Sequence, residues 1–98
     1  MINIKKLVEN SILFLKDMYP ESNTFEDILL EEAEISDDRN FCFITIGFNR
    51  PRKPDMLSNL MSMNSDKRFS REYKIFKLDT NSGEVISMKI RKNESSIA

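Results

Sequence analysis

The chain contains no histidine, no tryptophan, one cysteine and two glycines in 98 residues. Without histidine it lacks the commonest general base, the commonest metal ligand and the usual partner of a serine or cysteine nucleophile. Catalysis would have to run on carboxylates, Lys, Tyr or Cys42, so a non-enzymatic protein without cofactor is expected. The single Cys42 forms no intramolecular disulfide and no thiolate cage, and is expected to pack as a small apolar residue. Gly47 and Gly83 cannot make a glycine-rich phosphate loop, which disfavours nucleotide chemistry. Apolar runs are short as well, Ile12 to Leu15 being as long as they become, against the ~20 residues a membrane span needs. Lys5 and Lys6 are not followed by an apolar stretch and a small-residue cleavage site, so the expected address is the cytoplasm.

What the chain does have is charge, sorted by position. Between Asp17 and Asp38 stand nine acids (Asp17, Glu21, Glu26, Asp27, Glu31, Glu32, Glu34, Asp37 and Asp38) and no Lys or Arg. From Arg39 onward twelve bases face six acids (Asp55, Asp66, Glu72, Asp79, Glu84 and Glu94), so the formal net charge of -1 hides two halves of opposite sign. A one-signed field over a contiguous surface speeds capture of an oppositely charged partner and slightly opposes folding by self-repulsion. Binding is therefore the expected business of the chain.

Length suits one domain with a single core, residues 1–92, followed by a frayed tail at 93–98. From Ile2 to Tyr19 the apolar residues Ile4, Leu7, Val8, Ile12, Phe14, Leu15, Met18 and Tyr19 recur at spacings of three and four, which predicts a helix ended by Pro20 with Leu13 on its outer side. Ile28 to Ser36 alternates Leu29, Ala33 and Ile35 against Glu32, Glu34 and Ser36, a strand with Glu31 out of place on the apolar side. Asp37 to Asn40 reads as a turn. Phe41 to Phe48 then has apolar groups on both sides and belongs in mid-sheet, leaving the first strand at an edge. Arg71 to Asp79 and Glu84 to Arg91 make a second hairpin around Thr80-Asn81-Ser82-Gly83, where Gly83 takes a positive φ. Ile86, Met88 and Ile90 are expected to line the inward face of the last strand, and a bulge near Ile75 to reconcile Tyr73 and Ile75 with Phe76 and Leu78. Between the hairpins, Pro51 and Pro54 exclude a ladder position, and Met56, Leu57, Leu60, Met61 and Met63 fit a short helical turn. The fold class is α+β: an N-terminal helix packed on a four-stranded antiparallel β-meander, with that turn in the strand 2–3 connection.

The candidate site follows from the acidic strand. Glu32, Glu34, Asp37 and Asp38 are expected to present carboxylates along its outward side and turn, a surface that fits a basic partner, and Glu31 joins them because a carboxylate on the otherwise apolar side must reach water or pair with a base. The plain alternative is an edge strand charged to prevent edge-to-edge pairing. Met56, Leu57 and Met61 are flexible apolar groups able to anchor a partner or to close the end of the core. The acids form no calcium loop, and no metal site is expected. Arg50, Arg52, Lys53, Lys67, Arg68, Arg71, Lys74 and Lys77, with Phe41, Phe43 and Tyr73 as stacking surfaces, would suit RNA, but the isoelectric point near 5.5 disfavours nucleic acid.

The second hairpin, REYKIFKLDTNSGEVISMKIR, together with the LLEEAEISDD and FCFITIGF stretches, resembles small bacterial α+β proteins, mostly uncharacterised. Some of these look like immunity proteins of toxin systems, including contact-dependent growth inhibition. The resemblance implies an intracellular protein that binds and occludes a toxin, and carries no functional residue with it. Nuclease toxins are basic because their substrate is anionic, which matches the acidic stretch. The expected function is thus an immunity protein that occludes a basic toxin, of nuclease or ribonuclease type. Two alternatives stay open: a small-ligand or peptide-binding module of cystatin-like or PepSY-like outline gripping its ligand on the concave sheet, and an RNA-binding domain using the basic hairpin. Oligomeric state is left open.

Overall fold

The computed structural model describes residues 1–52 and 69–91. Its order is helix α1 (Ile4–Met18), a 3-10 turn (Pro20–Thr24), then strands β1 (Glu26–Ile35), β2 (Phe41–Pro51), β3 (Phe69–Asp79) and β4 (Val85–Ile90). The strands form one antiparallel sheet in the order β1-β2-β3-β4 with α1 on one face. The α+β expectation holds, with β1 at an edge and β2 inside. The helical turn foreseen between strands two and three, with Met56, Leu57 and Met61, lies outside the described residues, as does the tail.

Helix α1 starts where Asn3 Oδ1 accepts the Lys6 amide at 2.9 Å, filling one of the orphan donors of the first turn. It stops at Tyr19 because Pro20 has no N–H to continue the ladder. Leu7 and Leu15 are fully buried from its inner stripe, with Val8, Ile12 and Phe14 beside them. Burying each leucine stabilises by roughly 1.5–3 kcal/mol before entropy is counted. Ser11, which its polarity alone would place in water, falls between Leu7 and Leu15 on that stripe and is tolerated at 0% exposure because its hydroxyl donates to Leu7 O at 2.9 Å. Leu13 points outward, as its phase requires.

Strand β2 supplies the row Cys42, Ile44, Ile46 and Phe48, all fully buried, and β3 adds Phe76 and Leu78. Phe25 stacks on Phe48 at 4.6 Å between ring centroids just past the C-terminal end of the helix, and Phe14 meets Phe76 edge-on at 6.2 Å. Burial pushes the Cys42 thiol up from its ordinary pKa, consistent with a packing role.

Phase is where the structure departs from expectation. Strand β3 pairs with β2 without interruption from Phe69 to Asp79, so the bulge foreseen near Ile75 is absent: Lys74, Phe76 and Leu78 face the helix while Tyr73 and Ile75 face the opposite side. The irregularity lies in β4 instead. Ser87 pairs with Lys77 but Val85 with Leu78, which leaves Ile86 as the extra residue. Val85 and Met88 therefore take the inward places, while Ile86 and Ile90 are 50% and 72% exposed. Strand β1 carries two register shifts, one between Glu26 and Leu29, where Asp27 has φ 52°, and one at Glu31.

Both hairpin turns are joined at Thr80, which is 1% exposed. Its amide donates to Asn40 O at 3.0 Å, its hydroxyl to Arg39 O at 2.6 Å, and its carbonyl accepts the Ile2 amide at 2.8 Å. Arg39 sits in the left-handed region at φ 63°, and Gly83 does so at φ 78° with Asn10 Nδ2 donating to its carbonyl at 2.9 Å. In the first turn Asp38 Oδ1 accepts Ser36 Oγ at 2.6 Å and the Asn40 amide at 2.9 Å; in the second, Asp79 Oδ1 accepts the Ser82 and Asn81 amides at 2.9 and 2.7 Å.

Two outcomes follow for stability. Thr80→Val, which keeps shape but removes the part-buried hydrogen bond to Arg39 O, is expected to cost about 1 kcal/mol in denaturant unfolding at unchanged m, and Thr80→Ser clearly less; equal losses would show that the hydroxyl is idle. The Ser36 hydroxyl holds the Asp38 carboxyl, and the Ser82 amide that of Asp79, below the ordinary 3.8. That contribution is complete above the unfolded value and is lost as pH falls through the lowered folded-state value. Stability of the wild type should therefore drop more steeply with acid below about pH 4 than that of an Asp38→Asn, Asp79→Asn variant. Parallel acid limbs would rule the assignment out.

Candidate binding site on the open sheet face

The face of the sheet away from α1 is set by the register. One row across it reads Glu34, Phe43, Lys77 and Ser87, the next Glu32, Thr45, Ile75 and Lys89. Gly47 and Tyr73 come next, with Arg91 beside Tyr73, its amide N–H donating to Tyr73 O at 3.0 Å. Acids therefore line the β1 side and bases the β3 and β4 side. The sequence's split between halves has become a split across one surface.

Glu31 explains its own misplaced phase. As the bulge residue of β1 it turns onto this open face, where Arg71 Nη2 donates to its Oε2 at 2.8 Å. Arg71 also donates through Nη1 to Asp27 O at 2.7 Å and Asn49 Oδ1 at 3.2 Å, so it ties the bulged start of β1 across β2 to β3. The pair can lie flat only because the intervening residue is Gly47: a Cβ there would stand 2.5 Å from Glu31 Oε2 and 2.8 Å from Arg71 Nη2. Gly47 was legible in the sequence only as a strand glycine. Its reason is the ion pair that crosses it.

A second pair spans further. Arg91 Nη1 reaches Glu32 Oε2 at 3.4 Å, an open contact with side chains 38% and 53% exposed. The Arg91 and Arg71 guanidinium carbons lie 5.9 and 5.8 Å from the Tyr73 ring centroid, so the tyrosine sits with a cation on each side. Lys77 Nζ lies 4.2 Å from the Phe41 ring centroid. Below the Arg91 contact, short Thr45 on the central strand is flanked by long side chains on both neighbours. The result is a hollow of about 320 Å³ lined by Glu32, Glu34, Phe43, Thr45, Ile75 and Arg91.

No family model, curated protein or solved structure matches this chain.

The expected site residues divide accordingly. Glu31, Glu32 and Glu34 share the open face, but Glu31 and Glu32 are paired with Arg71 and Arg91, so the carboxylate row is partly neutralised from within. Glu34 has no cationic side chain in ion-pair range among the described residues. Asp38 is spent on its turn and Asp37 is exposed beside it. Arg91, Thr45 and Ile75 were not foreseen, because no local pattern reveals which strands will become neighbours. Of the basic set, Arg50 lies on the helix side, bonded to Glu21 at 2.9 Å and 5.1 Å over Tyr19, and Lys74 is buried there beneath the same ring. Lys53, Lys67 and Arg68 lie outside the described residues. Among the described residues no cluster of His, Cys, Asp or Glu is spaced to hold a metal ion, and no helix is long and apolar enough to cross a membrane.

The glycine bridge makes a measurable claim. A double-mutant cycle of Glu31→Gln and Arg71→Gln should give a coupling of about 0.5–1 kcal/mol, as for a partly exposed pair, and in a Gly47→Ala background that coupling should fall close to zero. Undiminished coupling with alanine at 47 would show that the pair does not need the bare backbone.

Proposed function

We propose that this chain is a protein-binding module that takes its partner on the open sheet face, and that it acts inside the cell as an immunity protein occluding a basic toxin of nuclease type. The observation that carries the reading is the open face itself. Among the described residues nothing packs over it, yet it holds Phe41, Phe43 and Tyr73 among fixed charges, the aromatic and arginine composition that supplies most of the energy in protein interfaces. Glu32 and Glu34 give one side of it the sign a basic toxin needs, while the other face is covered by α1 over the apolar core.

A small-ligand or peptide-binding module is the second reading, supported by the hollow over Thr45, whose volume is at the lower end of the range for ligand pockets. It differs from the outline expected of such a module in that the hollow lies opposite the helix and not beneath it. RNA binding is weaker, because Arg71 and Arg91 already face carboxylates.

The test is co-purification from the native host followed by titration calorimetry at two salt concentrations. Glu32→Lys with Glu34→Lys is expected to weaken the partner about tenfold or more and to change the salt dependence, while Leu13→Gln on the outer side of α1 leaves binding and inhibition of the partner unchanged. A partner indifferent to the charge reversal, or lost equally with the Leu13 variant, would overturn the assignment of the face.

A further inference from the structure

We infer that the hollow over Thr45 is a socket for one basic side chain, arginine or lysine, of the partner protein, and that Arg91 is its built-in competitor; this rests on the reading of the open face as the partner-binding surface. The argument begins with charge. Of the lining side chains two are carboxylates and one is a guanidinium, which leaves the hollow at net -1. One added cation neutralises it, whereas an added anion would take it to -2 in a partly enclosed place where charges are felt more strongly than in bulk water. The occupant is therefore cationic.

Shape supports the same occupant. The floor is Thr45, only 4% exposed, with Phe43 and Ile75 half-buried on either side of it. An arginine or lysine offers an aliphatic stem to such a floor and carries its charge at the far end. At that end stands Glu34, which has no cation in ion-pair range among the described residues, and Phe43 gives a ring face for a guanidinium or ammonium group. The hollow, rather than the carboxylates by themselves, makes the place specific: an exposed acid elsewhere on β1 gives no stem anywhere to lie.

Arg91 holds Glu32 through a contact of 3.4 Å with both side chains well exposed, so the arrangement is weak and exchangeable. An incoming cation competes with it for Glu32 and then bridges Glu32 and Glu34. Arg91 thereby sets a threshold, since a partner must bring contacts beyond one charge to displace it.

The experiment uses the full chain, uniformly ¹⁵N-labelled, titrated with acetyl-Gly-Arg-Gly-amide and in parallel with its neutral isostere acetyl-Gly-citrulline-Gly-amide and with acetyl-Gly-Glu-Gly-amide. The arginine peptide is expected to give saturable shifts centred on the Phe43, Thr45 and Ile75 amides, at least about tenfold weaker for citrulline and for the Glu34→Gln protein. Arg91→Gln is expected to bind the arginine peptide several-fold tighter, because it removes the competitor; this gain cannot come from misfolding. Shifts of equal strength with citrulline or the glutamate peptide, shifts centred elsewhere, or weaker binding by Arg91→Gln would each overturn the socket. If the partner protein is captured with undiminished affinity by Glu34→Gln while the peptide binds nowhere, the socket fails and the binding face stands; if the peptide binds at Thr45 yet charge reversal of the face leaves the partner untouched, the face assignment fails and the socket stands.

Discussion

The rest of the structure depends on the double burden of β2. On one side Cys42, Ile44, Ile46 and Phe48 form the floor on which α1 packs, and on the other Phe43, Thr45 and Gly47 set the relief of the open face. A slip of one residue would exchange the two sets, sending four buried apolar side chains into water and a glycine under the helix, so the register is fixed by burial rather than by turn geometry alone. The unbroken pairing of β2 with β3 makes this pair the rigid part of the sheet. All register shifts fall in the outer strands, where bulges also blunt exposed edges.

Those bulges decide how much was legible. The helix, the central place of β2, the positive φ of Gly83 and the order of strands follow from periodicity and turn chemistry, because these are local signals. Pro51, expected outside the ladder, pairs with Phe69 at the end of β2; the other misreadings concern phase. Glu31 on an apolar face, Tyr73 and Ile75 out of step with Phe76, and Ile86 in line with Met88 are the same kind of event seen in sequence: alternation alone cannot say which strand holds the extra residue. For Tyr73 and Ile75 no bulge was needed, since a sheet open on one face tolerates aromatic and branched residues there. For Ile86 the bulge is real and lies on the opposite strand of the hairpin from the one expected.

The candidate site is less legible than the fold for a related reason. Glu31 and Arg71 are separated by 40 positions and owe their contact to β1 and β3 flanking a glycine. Glu32 and Arg91 lie further apart in sequence and meet over Thr45. Block charge in a sequence suggests an acidic region and a basic region, yet an antiparallel meander lays the blocks side by side. Glu31 and Glu32 are thus balanced by the half they were read as opposing. What survives of the segregation is a gradient across the face and, at the hollow, a carboxylate that no cation pairs among the described residues, Glu34.

That partial self-neutralisation bears on specificity more than on affinity. A bare row of acids would attract any basic surface, and its attraction would fade uniformly with salt. A face whose acids are already paired attracts weakly at long range and must be opened at short range, so contacts that depend on shape, at Thr45, Phe43 and Tyr73, count for a larger share of the discrimination. The cost of leaving Arg91 without Glu32 is small, because both are well exposed to water and Arg91 keeps its contact with the Tyr73 ring. Glu31 and Arg71 are different: they are tied to Asn49 and the Asp27 carbonyl, and opening them would loosen the start of β1. The two pairs therefore divide the work, one holding the edge strand in register and the other free to exchange partners on the surface that the first keeps in shape.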